Sequence, residues 1–351
     1  MAKLDRGGAQ LSLLRVARSL VARGVGTRLL AGYATPEGVE LAREYGLEPE
    51  VFGRAGNLQW RPDDGFVEWL EPRLLDADVV HAHMFGGWWA AAQAVAGDQP
   101  LIASEHNAFN WPQEDLSSAL RQALPRVNCF FAHGPGARRT VLGAGLPADR
   151  IRDGISPVAG MDAEPRLGLA GAPVISAGRW DPDKGPDVLL DAVALLRSRP
   201  PVLMLGAGRM DAALRAQRSR LGLSLRVQMP GWLRDPAPSI AGAAVLVVPS
   251  RDESFSQTAV LGMGLGVPVI GTDVDGFPRT LGEGRGIMVP PEDPVALAEA
   301  IDGVLDGRLR VDTAGARRFA GRFRPDRVAR VYEETYRSMT DPSPVGAPVL
   351  V

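Results

Sequence analysis

Short apolar runs alternate with amphipathic stretches along the whole chain. Runs rich in Val, Ile, Leu and Phe read as buried strands, and the stretches between them repeat apolar residues at helical spacing. In the first half, strands are predicted at 27–33, 77–83, 101–105 and 128–133, with helices at 9–23, 65–75, 87–96 and 116–126. In the second half, strands are predicted at 173–177, 202–205, 225–229, 244–249 and 267–272, and helices include 186–199, 210–221 and 294–305. Asp293 and Pro294 open the last of these as N-cap and first helical residue. Continuously apolar strands joined by helices build parallel sheets covered on both faces. The expected fold class is therefore α/β.

Length divides this pattern in two. A chain of 351 residues exceeds what one hydrophobic core usually serves. Periodicity fails over 153–171, which is rich in Gly, Pro and Asp. The expected domains are 1–155 and 156–325, followed by a helix over 326–340 carrying Val328, Val331, Tyr332 and Tyr336 at helical spacing. The tail 341–351 reads as disordered. A helix opening at Gly7-Gly8 should follow a buried strand, and the first strand of a doubly wound sheet is normally central. Only six residues precede Gly7, so that strand reads as truncated and the native start is expected upstream of Met1.

Two strand-to-helix junctions carry candidate chemistry. At 247–275 a buried strand ends at Pro249, polar residues follow, and a helix begins near Ser256. Exposed N–H groups at a helix start bind phosphate without a metal. Ser254, Phe255, Ser256, Gln257 and Thr258 would surround such a group, and Glu253 is placed to accept from a sugar hydroxyl. The plainer reading makes Ser256 an N-cap and Glu253 a solvated charge. At 178–185 Arg179 and Lys184 follow another strand, and cations at this edge can pair with the same diphosphate. Otherwise they are two surface cations. Gly206 and Gly208 form a third turn with room for a ligand, although a lone G-x-G is more often an ordinary tight turn.

The order of these pieces is specific. GRWDPDKG, LGAG, MPGW, ESFSQTAV and GVPVIGTDVDG follow one another as in the C-terminal half of the retaining glycosyltransferases of family 4. LDRGGAQ, VVHAH, SEHN and RIRDGI resemble that family's earlier landmarks. The resemblance implies the GT-B fold, two Rossmann-like domains facing a cleft, with the last helix crossing back onto the first domain. It implies that Arg179 and Lys184 neutralise the departing diphosphate, that Glu253 contacts the donor sugar, and that the backbone from Phe255 to Thr258 holds phosphate. It also implies that the Gly7-Gly8 loop closes over the diphosphate and that His106 lies near the reacting centre. The activity implied is transfer of a sugar from a nucleoside diphosphate, UDP in preference to GDP, with retention and without a divalent metal. Cations and N–H groups would stabilise charge on the leaving diphosphate.

One position departs from the pattern. The family places a second glutamate eight positions after the first, where it binds the ribose hydroxyls, and here that position is Leu261. Losing a charge-assisted pair to a diol costs on the order of 1.5–3 kcal/mol of donor binding. Either the ribose is held differently or the chain is an inactive partner subunit that binds sugar nucleotide. Retention of Arg179, Lys184, Glu253 and the glycine loop favours the first. An epimerase or hydrolase of the same fold is the enzymatic alternative.

The acceptor side falls in the first half. Trp88 and Trp111 suit sugar or cyclitol rings, while Glu105 and its neighbours Glu114 and Asp115 can pair with an amino group. Trp88 and Trp89 can equally be core. The loops resemble those of transferases acting on aminocyclitol antibiotics. His83 is an acceptor-side candidate too; His81 and His83 alternate on a strand end without the partners a metal site needs. No metal and no cofactor besides the donor substrate is expected. Charge adds only exclusions. A net charge of −2 gives no reason to expect nucleic acid or an anionic membrane as partner. A single cysteine, Cys129, excludes an intrachain disulfide and fits a reducing cytoplasm, and no apolar run is long enough to span a bilayer.

Overall fold

The computed structural model describes residues 1–53, 58, 61–107, 109, 116–165 and 172–340. Trp111, Glu114, Asp115 and the tail 341–351 lie outside the described residues. The chain forms two compact units, one of Met1–Pro157 with Pro325–Val351 and one of Val158–Arg324.

The second unit is the more regular. Its elements run β9 to β14 and α7 to α13, after β1 to β8 and α1 to α6 of the first unit. They are β9 (Val174–Ala177), α7 (Pro186–Leu195), β10 (Val202–Leu205), α8 (Asp211–Arg220), β11 (Val227–Gly231), α9 (Ala237–Ala241), β12 (Val245–Val248), α10 (Gln257–Gly264), β13 (Val269–Thr272), α11 (Phe277–Leu281), β14 (Ile287–Val289), α12 (Pro294–Leu305) and α13 (Thr313–Ala320). All six strands are parallel in the order β11-β10-β9-β12-β13-β14. Helix α7 packs with α8 and α12, and α10 packs with α9 and α13, so both faces are covered. Asp293 caps α12 by accepting the Ala296 amide at 2.9 Å. The helix predicted over 186–199 stops at Leu195, because the Arg197 and Ser198 amides turn to the Asp302 carboxylate and Pro200 follows.

The first unit comprises β1 (Lys3–Leu4), α1 (Gly8–Ala22), β2 (Leu29–Ala31), β3 (Tyr33–Ala34), α2 (Pro36–Glu44), β4 (Pro49–Val51), α3 (Asp64–Leu74), β5 (Val80–His83), α4 (Phe85–Ala94), β6 (Leu101–Glu105), α5 (Leu116–Ala123), β7 (Cys129–Ala132), α6 (Pro135–Gly143) and β8 (Ile151–Asp153), with α14 (Pro325–Thr340) returning to it. Four strands form one parallel sheet in the order β5-β6-β7-β8, while β1-β3 and β2-β4 are separate parallel pairs. The strand predicted at 27–33 divides at Gly32, whose added Cβ would lie 2.8 Å from the Ala2 carbonyl. Helix α14 packs on α1 and is tied by Tyr332 to the Ile155 carbonyl at 2.9 Å and by Arg152 to Thr335 at 2.7 Å.

The short elements α2, α6, α9, α11, α13, β4, β8 and β14 were not predicted. Most carry too few apolar residues to show a period: β8 buries Ile151 alone. Helix α2 did announce itself through Thr35, whose hydroxyl accepts the Gly38 amide at 3.1 Å, and Pro36 at its first position.

Candidate functional site

Strand order explains why distant motifs converge. β9 and β12 are neighbours, with β10 on the other side of β9, so the loops after their C-terminal ends abut. The loop after β9 carries Arg179 and Lys184, and the loop after β12 carries residues 250–256.

Lys184 is the centre of the contact. Its Nζ donates to Glu253 Oε2 at 3.0 Å and to the Asp252 carbonyl at 3.3 Å, and lies 3.6 Å from Asp183. Burial alone would lower its pKa, but the charges of Glu253 and Asp183 outweigh that and raise it, so the ammonium is kept. Ser250 Oγ donates to the same Glu253 oxygen at 3.3 Å, while Oε1 makes no hydrogen bond among the described residues. Arg179 pairs with Asp181 and with Asp183 at 2.8 Å, and half of its side chain remains exposed. An exposed guanidinium and a fixed ammonium thus sit on one sheet edge, each already partnered by carboxylates.

The 250–256 loop is braced from three sides. The Arg251 and Asp252 amides donate to the Asp183 carbonyl at 2.8 and 3.2 Å. The Arg251 guanidinium makes two bonds to Asp187 at 2.9 and 2.7 Å, one to the Pro182 carbonyl at 2.8 Å, and one to Glu292 at 2.5 Å. Gly185, at φ 58°, lets the two loops meet: an added Cβ would lie 2.1 Å from the Pro249 carbonyl. On the far side the Gly276 amide donates to the Glu253 carbonyl at 2.8 Å. Sequence reasoning gives Arg251 no role, although its charge beside Asp252 is visible there, and Gly276 enters it only as the end of GVPVIGTDVDG.

Ser256 is the N-cap of α10: its buried hydroxyl accepts the Ala259 amide at 3.2 Å, a bond that uses an oxygen lone pair and not the hydroxyl proton. Ser254, Phe255, Gln257 and Thr258 are partly exposed around that cap. Gly206 and Gly208 serve backbone packing. Added Cβ atoms would lie 1.8 Å from the Gly178 carbonyl and 2.5 Å from the Trp180 carbonyl, so the turn packs its backbone closely on the Arg179 loop. Leu261 lies on α10, 8% exposed and with no polar atom to present.

In the first unit all four histidines stack in a row at the ends of β5, β6 and β7. Ring centroids lie 4.2 Å apart for His81 and His83, 5.5 Å for His83 and His106, and 4.0 Å for His106 and His133. His83 Nδ1 meets His106 Nε2 at 3.2 Å, and His81 is held by the Tyr336 hydroxyl at 2.7 Å and the Ser104 hydroxyl at 2.8 Å. Burial pushes His106 down to about 4 and His81 down to about 3, and holds His83 well below its ordinary value, so these imidazoles are neutral at neutral pH. No group of metal ligands occurs among the described residues.

Glu105 underlies this row. Its Oε1 accepts the His106 amide at 3.0 Å and the Asn107 amide at 3.2 Å, and its Oε2 accepts Trp88 Nε1 at 3.1 Å. Burial pushes its pKa up to about 7. The expectation that Trp88 and Glu105 touch an acceptor is corrected: both are fully buried, each satisfying the other's polar atom. His83 is also buried, with its Nδ1 against His106 Nε2. Gly7 caps α1 in extended backbone beside the exposed Gly8.

Comparison with known proteins gives this arrangement its class. Residues 6–152 match the profile described as Glycosyltransferase Family 4, and residues 172–307 that of Glycosyl transferases group 1. A D-inositol 3-phosphate glycosyltransferase of Jonesia denitrificans is 37% identical over 94% of this chain and 92% of its own. A phosphatidyl-myo-inositol mannosyltransferase of Mycobacterium leprae is 31% identical over 93% of both. Among solved structures, HepE of Anabaena in complex with UDP-glucose superposes with TM-score 0.80 at 22% identity, over 96% of this chain and 98% of that one. The chain belongs to glycosyltransferase family 4 and is a hexosyl-transferring enzyme of the GT-B fold. No described helix is long and apolar enough to cross a membrane.

Proposed function

We propose that this enzyme moves a hexosyl group from a nucleoside-diphosphate sugar, UDP in preference to GDP, to a hydroxyl of a cyclitol, with retention and without a divalent metal. The observation that carries the reading is Lys184: a charged ammonium fixed by Glu253 beside Arg179 and the start of α10. Charge growing on a departing diphosphate is stabilised most by cations that need no rearrangement. In this reading Arg179 and Lys184 take the diphosphate, the Phe255–Thr258 backbone holds phosphate, and Glu253 Oε1 accepts from the donor sugar. Gly7, Gly8 and His106 carry the roles that the family resemblance gives them.

The cyclitol follows from the relatives, whose names specify D-inositol 3-phosphate and phosphatidyl-myo-inositol. Aminocyclitols share the ring and the hydroxyls and are the second acceptor class to test. At the ribose Leu261 offers no acceptor, so ribose contacts fall to backbone or water.

Calorimetry with UDP and GDP, then UDP-sugar turnover with and without inositol phosphates and in EDTA, tests the proposal. Expected are micromolar-to-millimolar UDP binding, acceptor-dependent turnover in EDTA, and a product with the donor's anomeric configuration. Turnover without acceptor would instead mark an epimerase or hydrolase. Binding without any turnover would mark an inactive partner subunit.

A further inference from the structure

The row of histidines is not uniform. His81 and His83 stack face to face at 4.2 Å, and His106 and His133 do so at 4.0 Å. Between these two pairs the arrangement changes: the His83 and His106 rings lie within 16° of one plane, with their centres 5.5 Å apart. Rings that meet edge to edge through the 3.2 Å contact of His83 Nδ1 with His106 Nε2 give such a separation. This is the near-linear, in-plane geometry of an N–H···N hydrogen bond.

The surroundings of the pair are fixed. At the end of β5 the Met84 amide donates to the Ser104 carbonyl at 3.0 Å, and Met84, at φ 67°, turns the chain at once into α4. Glu105 Oε1 takes the His106 and Asn107 amides, so the backbone of the second ring is anchored as well. His81 covers one face of His83, and His133 covers one face of His106. His83 is buried, whereas His106 is partly exposed. Of the two His106 ring nitrogens, Nε2 is committed to His83, and Nδ1 makes no hydrogen bond among the described residues.

Burial keeps both rings neutral at neutral pH, so a single proton lies between the facing nitrogens. If His83 Nδ1 carried it, both rings would be Nδ1–H tautomers. If His106 Nε2 carries it, both are Nε2–H tautomers, the form that a histidine side chain favours in water. The second arrangement asks neither ring to leave its preferred form. His106 Nδ1 then presents a bare lone pair, which suits a sugar whose hydroxyls donate and whose anomeric carbon gains positive charge during transfer.

We propose that His83 is a positioning residue: by accepting from His106 Nε2 it fixes the tautomer and tilt of His106, so that Nδ1 meets the donor sugar as an acceptor. The role rests on the reading that places His106 beside that sugar; the hydrogen bond does not.

Nitrogen-15 labelling of the histidines tests the bond without a substitution. At pH 7 the wild-type protein should show His83 and His106 both as Nε2–H tautomers, with a coupling between the two nitrogens across the bond. An Nδ1–H tautomer at His106, or a mixture of both forms, overturns the proposal. Turnover then tests the role. His83→Phe keeps a ring and removes the acceptor, and should lower kcat roughly tenfold to hundredfold, with UDP affinity unchanged and the His106 tautomers mixed. His83→Asn, whose Oδ1 can stand in for Nδ1, should recover most of kcat together with the Nε2–H form of His106. Loss of kcat in a folded His83→Asn enzyme that still shows this form overturns the role, whether or not His83→Phe folds. Turnover by the wild type with unchanged kcat in His83→Phe overturns the role alone, whereas no turnover by the wild type overturns the proposed function and the role with it.

Discussion

The two units share one plan, parallel strands with helices on both faces, and differ in how their strand ends are finished. In the second unit six strands form one sheet, and its loops are held by ion pairs and by backbone packed on glycine, as at Gly185, Gly206 and Gly276. Charge is paired there: Lys184, Arg179 and Arg251 all sit against carboxylates. In the first unit the sheet is in three pieces, and the strand ends carry neutral stacked imidazoles over a buried carboxylate. One unit is built to meet charge and the other to present uncharged polar groups. A reaction that moves a hexosyl group from a diphosphate to an acceptor hydroxyl involves a charged leaving group and an uncharged nucleophile.

The comparison can be broken at its most buried contact. Trp88→Ala removes the largest fully buried side chain among the described residues and takes the Trp88 donor from Glu105 Oε2, and should cost about 3–5 kcal/mol of stability. Denaturant unfolding should show this loss in the first unit while UDP affinity is unchanged; a fall in UDP binding would contradict the division of labour. Next, Lys184→Ala or Glu253→Ala should lower kcat/KM by roughly 10²–10³-fold, with native circular dichroism. Full activity in both variants refutes the site.

Acidification separates the units without mutation. All four histidines belong to the first unit. Unfolded histidines take up protons near pH 6.5, while the folded ones resist to about 4 at His106 and about 3 at His81. Below pH 6.5 the unfolded chain therefore binds more protons, and the first unit loses stability. Glu105 works in the opposite sense between 4.5 and about 7, and offsets one of the three histidines whose pKa is lowered. Each net proton is worth about 1.4 kcal/mol per pH unit. The second unit has no histidine. Its Asp302, where burial alone would raise the carboxyl, is held below its ordinary value of 3.8 by Ser198 and Arg197, so it weakens only at lower pH. Hydrogen exchange at pH 7 and pH 5 should show the first unit opening first; uniform protection would count against this account.

The mildest change tests the bracing. Arg251→Ala loosens the 250–256 loop without removing a proposed ligand contact. The donor KM should rise about tenfold, equivalent to about 1.4 kcal/mol, with a smaller change in kcat. An unchanged KM would mean that the loop holds its shape through Gly276 and the Asp183 carbonyl alone.

Sequence alone carried much of this. Continuous apolar strands such as 245–248 and caps such as Asp293-Pro294 are local signals, because a strand buried on both faces and a helix start each impose their chemistry within a few residues. The ordered run of motifs placed Arg179, Lys184 and Glu253 in one family and therefore near one another. What stayed illegible were properties of pairs far apart in the chain. Trp88 looks the same in a sequence whether its indole meets a ligand or Glu105. Ser256 reads equally as a cap or an uncapped loop residue until the Ala259 amide is placed. Gly206 and Gly208 read as a tight turn, and only the neighbouring loop shows that Gly178 and Trp180 press where a side chain would stand. The row of histidines depends on three adjacent strands ending at one level, which no spacing along the chain reports. Local composition determined which elements form and which residue types lie at their ends. The tertiary structure decided which of those residues spend their polar atoms on one another and which keep them for a ligand, because that choice is made across strand neighbours, where burial and partners are set together.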